Sequence, residues 1–201
     1  MQINIDKKSG IFISIIAGLL IIIVAITFSR GSDDGFMGMD HDGHSSSASG
    51  DLTGADIMFL QMMIPHHQQA IDMSDLALTK SSDSELLALA KEIRDGQAAE
   101  IVKMKAWLDG ANAAMDPGHS MGHDMGGMLS DSELAALKAA TGKSFDLLWL
   151  KGMTGHHDGA IHMATMIEDA SNPEIKSFGQ AIVTLQSAQN KQMAAMIKRM
   201  G

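Results

Sequence analysis

Apolar residues recur along most of the chain at the spacing of an α-helix, and polar or glycine-rich stretches separate the segments that show this spacing. Side chains three or four positions apart fall on one side of a helix, so each segment predicts an amphipathic helix. The long helices are predicted from residue 51 or 53 to 78, from 85 to 110, from after 142 to 167, and from 172 onward, with a short helix over 132–140. The buried stripe of the last helix is expected to comprise Ile182, Leu185, Gln189, Met193, Met196 and Met200. The pattern therefore predicts an all-α fold.

One segment, residues 11–28, is uniformly apolar and carries no charge. As a helix it would span about 27 Å, which is just enough for a bilayer core, so it predicts a transmembrane anchor. Lys7 and Lys8 precede it, which predicts that residues 1–10 are cytoplasmic and that the rest lies outside, in the periplasm or at the cell surface. A cleaved signal peptide is the alternative, although an Ala-x-Ala-like cleavage site is missing. Residues 29–50, rich in Gly, Ser, Asp, Met and His, predict a flexible linker.

The central feature of the remaining sequence is an internal repeat. MIPHHQQAIDM at residues 63–73 returns as MTGHHDGAIHM at 153–163, dividing residues 51–201 into halves 51–110 and 131–201 joined by a loop over 111–130. On a helix, Met63 and His67 are i,i+4 neighbours, and their counterparts in the second copy are also so spaced. Pro65 and Gly155 weaken the helix before each His-His pair, which predicts a bend there. A single histidine on an amphipathic helix is most often a buried core residue, but the repetition of the His-His pair favours metal ligands.

The amino-acid composition limits the kinds of metal ligand that the chain can provide. The chain has no cysteine, which excludes a thiolate metal site, but it has 18 methionines and nine histidines, so thioether and imidazole are the available soft ligands. A net charge of −9 argues against a nucleic-acid surface. The candidate metal ligands are Met63, His66, His67, Met73, Met153, His156, His157 and Met163 in the repeated motif, and His119, Met121, His123, Met125 and Met128 in the loop.

Both copies resemble the Met-x-x-His-His-x-x-Ala-x-x-Met signature of the domain-of-unknown-function family 305, and the resemblance covers about residues 51–201. It implies a ferritin-like four-helix bundle, and some similar Met-rich periplasmic proteins bind copper. The two halves differ where Glu100 is replaced by Gln189 and where Asp72 is replaced by His162, so they need not bind equally.

These observations favour a non-enzymatic protein that binds Cu(I) outside the cytoplasm, with Ag(I) as a mimic and Cu(II) tolerated by imidazole, in copper homeostasis or resistance. The expected partners are metal ions, the membrane, and a protein that donates or accepts the metal. One alternative is a structural or partner-binding bundle in which methionine fills the core. Another is a di-metal oxidase, which requires inward carboxylates and Glu-x-x-His pairs. No such pair occurs, and Asp56 and Asp146 lie near helix starts, where capping is expected.

Overall fold

The computed structural model describes residues 51–115 and 126–201, and within them the chain is all-helical, as predicted. The helices are α1 (Gly54–Lys80), α2 (Ser84–Gly110), α3 (Asp131–Ala139), α4 (Gly142–Ala164) and α5 (Pro173–Met200), and a 3-10 turn at Thr165–Ile167 follows α4. In this part of the chain no helix combines the length and the apolar character needed to cross a bilayer. The predicted cytoplasmic segment 1–10, anchor 11–28 and linker 29–50 lie outside the described residues.

Side chains at the helix starts explain where most of the long helices begin. Thr53 and Asp56 form a capping box, with each side chain accepting from the other residue's backbone N–H at 3.2 and 2.8 Å. Asp83 caps α2, and Asn172 caps α5. The capping role expected for Asp146 is wrong, because this residue lies one turn inside α4, where its Oδ1 is buried without a partner.

The long helices form two antiparallel hairpins, α1 with α2 and α4 with α5, which meet through α1 and α4. Antiparallel packing of α1 on α4 follows from the bond between Trp149 Nε1 and the carbonyl oxygen of Met73, at 2.9 Å, since this joins the start of α4 to the later part of α1. Helices α2 and α5 are linked at one end by Arg199 and Asp83 and at the other by Trp107 and Glu174. The two repeats are thus related by an approximate twofold axis.

Two apolar clusters make the core, one toward each end of the bundle. The first includes Phe59, Leu60, Met63, Met104, Met163 and Ile182, and the second includes Met73, Leu86, Phe145, Trp149, Met153 and Met193. The stripe predicted for α5 is buried at Ile182, Gln189, Met193 and Met196, but Leu185 and Met200 are only partly buried, and Gln186 is buried instead. Helix α1 continues through Pro65, and α4 through Gly155, so neither residue ends its helix. The predicted bends stay predictions.

Candidate metal centre

Four buried histidines occupy the middle of the bundle between the two apolar clusters. His66, His67, His156 and His157 are each 0 % exposed. Consecutive residues on a helix point about 100° apart, so the two rings of each pair face different neighbours. The ring centroids are 6.5 Å apart in both pairs, with interplanar angles of 52° and 56°. The first and the second histidine of each pair therefore contact different parts of the bundle.

The first histidine of each pair meets its counterpart across the approximate twofold axis. The His66 and His156 ring centroids are 3.7 Å apart, with an interplanar angle of 38°. His66 Nε2 lies 3.0 Å from the carbonyl oxygen of Gly126, which only accepts, so Nε2 carries the hydrogen. Both ring nitrogens of His156 are buried without a partner. Of the two histidines at the axis, only His66 therefore forms a hydrogen bond within the described residues.

The second histidine of each pair turns toward the other helix of its own hairpin. His67 Nε2 lies 2.7 Å from Glu100 Oε2 on α2, and His157 Nε2 lies 2.8 Å from Gln189 Oε1 on α5. Gln189 in turn donates from its Nε2 to Glu92 Oε1 at 2.9 Å, which directs its oxygen at the histidine. Since an oxygen accepts in both cases, each imidazole donates from Nε2 and, when neutral, keeps the lone pair on Nδ1.

The lone-pair side of these rings has no partner within the described protein. The Nδ1 atoms of all four histidines are buried and unpaired, as is Nε2 of His156. A buried polar atom left unpaired costs about 1–3 kcal/mol, and native proteins normally satisfy such atoms with a ligand or water. Histidines that bind metal typically use one ring nitrogen and donate the other N–H to a carboxylate or carbonyl oxygen. His66, His67 and His157 already make the second of these contacts, so the donor set fits a metal ion.

Burial keeps the imidazoles of His66, His156 and His157 neutral. Loss of solvation, together with smaller contributions from neighbouring histidines, lowers the pKa of His66 to about 3 and that of His157 to about 4. The same causes hold the pKa of His156 well below its usual range. A metal ion needs the deprotonated nitrogen, so protons do not compete for these three rings near neutral pH.

Each hairpin also places two methionines opposite each other, one helical turn from its second histidine. In an antiparallel pair, the contact of His67 with Glu100 places Met63 opposite Met104, because each lies four residues further toward the same end. The contact of His157 with Gln189 places Met153 opposite Met193 in the same way, and Thr154 Oγ1 lies 3.8 Å from Met193 Sδ. The four methionines are 0 % exposed. In the sequence, an offset of 89 residues relates Met104 to Met193, and with Met196 these methionines could face the motif ligands, although methionine at helical spacing more often fills the core.

The trailing methionines of the motif lie elsewhere. Met73 and Met163 are ten residues beyond the leading methionines, about 15 Å along the helix. Met73 belongs to the same apolar cluster as Met153, and Met163 to the same cluster as Met63. The structure therefore groups each trailing methionine with the leading methionine of the other copy.

The end of the interhelical loop, residues 126–129, crosses the two His-His motifs and is called the strap below. Gln69 holds it through two bonds, from its Nε2 to the carbonyl oxygen of Leu129 at 2.9 Å and from the Leu129 N–H to its Oε1 at 2.8 Å. On α4 the strap lies against Gly159, where an added Cβ would be 1.4 Å from the carbonyl oxygen of Gly126. Met128 lies in the strap and is partly buried. The other loop candidates, His119, Met121, His123 and Met125, lie outside the described residues.

Carboxylates contribute little to this centre. Across residues 51–115 and 126–201, no three His, Asp or Glu side chains come together where they could hold a metal ion. The buried residues around the four histidines include the thioether side chains of Met63, Met104, Met153 and Met193.

Comparison with known proteins gives a consistent result. The model of a family described as a domain of unknown function, DUF305, matches residues 56–197. A DUF305 protein from Streptomyces coelicolor matches with a TM-score of 0.69 and 31 % identity, covering 73 % of this chain and 94 % of its own. A DUF305 fragment from Deinococcus radiodurans matches with a TM-score of 0.69 and 28 % identity over 75 % of this chain and 99 % of its own. CopM in its Cu(I)-bound form matches with a TM-score of 0.61 and 34 % identity over 72 % of this chain and 96 % of its own, and its Cu(II)-bound and Ag-bound forms match as well. No curated protein matches the chain significantly.

Proposed function

The chain belongs to the DUF305 family, and from this premise we propose that it binds Cu(I) in copper homeostasis or resistance, with Ag(I) as a mimic. CopM, to which it is similar, has been solved with Cu(I), Cu(II) and Ag. The observation that carries the proposal is a buried pair of methionines one helical turn from a buried histidine whose Nδ1 is unpaired, in each hairpin. We also propose that the fold is a ferritin-like four-helix bundle.

The proposed ligands match the chemistry of a soft univalent ion. Thioether sulfur selects Cu(I) over Zn(II) and harder ions, and neutral imidazole binds both oxidation states of copper. In the first half, Met63, His67 and Met104 would hold the ion, and Met153, His157 and Met193 are their counterparts in the second. The N–H contacts that fix the two histidines would orient Nδ1 before the metal arrives, so little conformational entropy would be lost on binding.

A competition titration against a colorimetric Cu(I) chelator tests the proposal. Replacing methionine by leucine conserves volume but removes the sulfur, so Met63→Leu and Met104→Leu should each weaken one tight site while leaving the fold intact. Met58→Leu is the matched control on the same helix, because Met58 is 42 % exposed and is not one of the proposed ligands. Its affinity for Cu(I) should equal that of the unchanged protein.

The outcomes separate binding from core filling. If the protein takes no copper from an equimolar amount of chelator, the proposal is wrong. If it takes copper but Met63→Leu and Met104→Leu behave like Met58→Leu, the methionines are core residues and the metal binds elsewhere. Zn(II) binding as tight as Cu(I) binding would also contradict the argument, since it would remove the role of the thioethers.

We further propose that the domain works outside the cytoplasm. The uncharged segment 11–28 with Lys7 and Lys8 before it supports this, as does the description of the Streptomyces coelicolor relative as a candidate secreted protein. In that compartment the protein could exchange metal with a donor or acceptor protein.

A further inference from the structure

The two halves differ at the atom that accepts the hydrogen bond from the second histidine. In the first half the acceptor is the carboxylate of Glu100, 2.7 Å from His67 Nε2. In the second half the corresponding acceptor is the amide oxygen of Gln189, 2.8 Å from His157 Nε2. Both histidines are fully buried, and both donate from the same ring nitrogen. The two places are therefore alike in geometry and unlike in charge.

This difference changes the donor strength of the imidazole. A carboxylate that accepts the Nε2–H bond draws the proton toward itself and makes Nδ1 a stronger electron donor, whereas a neutral amide does so less. It also places a negative charge near a buried cation, where the low dielectric strengthens attraction. Loss of such a partner typically costs 10–100-fold in metal affinity.

The second half also has a carboxylate, but it contacts Gln189 and not the histidine. Gln189 donates to Glu92, which comes from α2 in the first half of the chain. Burial raises the pKa of the Glu92 carboxyl, and the bond from Gln189 opposes this in part. The position related to Glu92 by the 89-residue offset is Ala181, so the first half has no corresponding relay. Hence Glu92 orients Gln189 without touching the ring of His157.

We propose that Glu100 and Gln189 grade the two halves, so that the first half binds a soft univalent cation more tightly and fills first, and the second half fills later and releases first. This inference rests on the proposed function, and it makes Glu100 a positioning and specificity-determining residue that acts through His67. A graded pair keeps one ion bound while the other exchanges with a partner.

Methionine-methyl NMR during titration with Ag(I) tests the order of filling. Ag(I) is diamagnetic, and the ε-methyl signals of Met63 and Met104 report on the first half while those of Met153 and Met193 report on the second. Met58, which is 42 % exposed and lies outside both the proposed ligands and the loop, serves as a reference signal within the same molecule. In the unchanged protein the first-half signals should move with the first equivalent of Ag(I) and the second-half signals with the second.

Two variants exchange the charges with little change in shape. Glu100→Gln gives the first half the amide that the second half has, and should weaken its Ag(I) affinity about 10–100-fold, so that the two sets of signals move together. Glu92→Gln with Gln189→Glu gives the second half a carboxylate facing His157 and an amide behind it, which avoids two adjacent buried carboxylates. That double variant should tighten the second half by a similar factor. Glu92→Gln alone is the control and should leave the filling order unchanged.

Each result has a distinct meaning. If both halves fill together in the unchanged protein, or if the order survives both charge exchanges, the grading is overturned although Ag(I) still binds. If no motif methionine signal moves in either half, the proposed function itself fails. The two charge-exchange variants are independent, so either one that retains the NMR spectrum of a folded protein suffices for the test.

Discussion

Replacing Gly159 by alanine should detach the strap from the histidines. Position 159 lies inside α4, where alanine would ordinarily stabilise a helix by about 1 kcal/mol relative to glycine. Here the added Cβ would lie 1.4 Å from the carbonyl oxygen of Gly126 and 2.9 Å from the amide nitrogen of Gly127. Both are backbone atoms, so no side-chain rotation relieves the clash. The strap must move away.

The cost follows from what the strap contributes. Moving it breaks the His66 bond to Gly126 and the two bonds between Gln69 and Leu129. Hydrogen bonds contribute about 1 kcal/mol each, and burial of a leucine side chain such as Leu129 contributes about 2 kcal/mol. After the gain in helix propensity, Gly159→Ala should lower the free energy of unfolding by about 2–4 kcal/mol, depending on how far the strap is displaced.

Urea unfolding followed by circular dichroism measures this free energy, and Gly155→Ala is the matched control. Gly155 lies four residues earlier on the same helix, and a Cβ added there meets no atom within 4 Å. That variant should be more stable than the unchanged protein by up to about 1 kcal/mol. If Gly159→Ala proves as stable as Gly155→Ala, the strap does not lie on α4 as described, and the argument fails.

Three other predictions concern pH, a buried bond and location. Folding lowers the pKa values of His66 and His157 from 6.5 to about 3 and about 4, so between pH 6.5 and about pH 4 only the unfolded chain takes up these protons. Urea unfolding at pH 7.5 and 5.5 should therefore show a loss of about 1 kcal/mol per histidine at the lower pH. Equal stability at the two pH values would mean that these rings are solvated. Trp149→Phe should lower the free energy of unfolding by about 1–3 kcal/mol, because the indole N–H of Trp149 donates to a buried carbonyl oxygen at 2.9 Å. Trp107→Phe is the control and should lower it less, because the Trp107 bond lies at a partly exposed edge. Equal losses would contradict this reasoning. A reporter fused after Gly201 should be active only outside the cytoplasm, and cytoplasmic activity would reverse the predicted orientation.

The helices and the position of the motif could be predicted from the sequence because both depend on local periodicity. Met63 and His67, which the helical spacing places next to each other on α1, are both buried. What each histidine contacts depends on the relative placement of the hairpins, which a single-helix pattern does not contain. The pairing of His66 with His156 and the turn of His67 toward Glu100 therefore emerged only from the packing.

The strap shows a second limit of sequence reasoning. Gly155 attracted attention as a helix weakener, yet the glycine that packs against the strap is Gly159. The sequence did contain a signal for this difference. The repeat aligns Gln69 with Gly159, and two residues so different in size and polarity indicate different surroundings. Periodicity alone could not show which surroundings those were, since the loop that supplies them is distant in sequence from α1.

The single strap also explains why the internal symmetry is only approximate. Two identical hairpins paired as separate chains about a true twofold axis would carry the same residue at positions 69 and 159. A covalent connection crosses the axis once, so one copy must bind the connecting segment with a side chain while the other makes room for its backbone. The differences between the copies therefore have different structural settings. Gln69 and Gly159 both contact the segment that joins the two hairpins, whereas Glu100 and Gln189 each contact the second histidine of their own half.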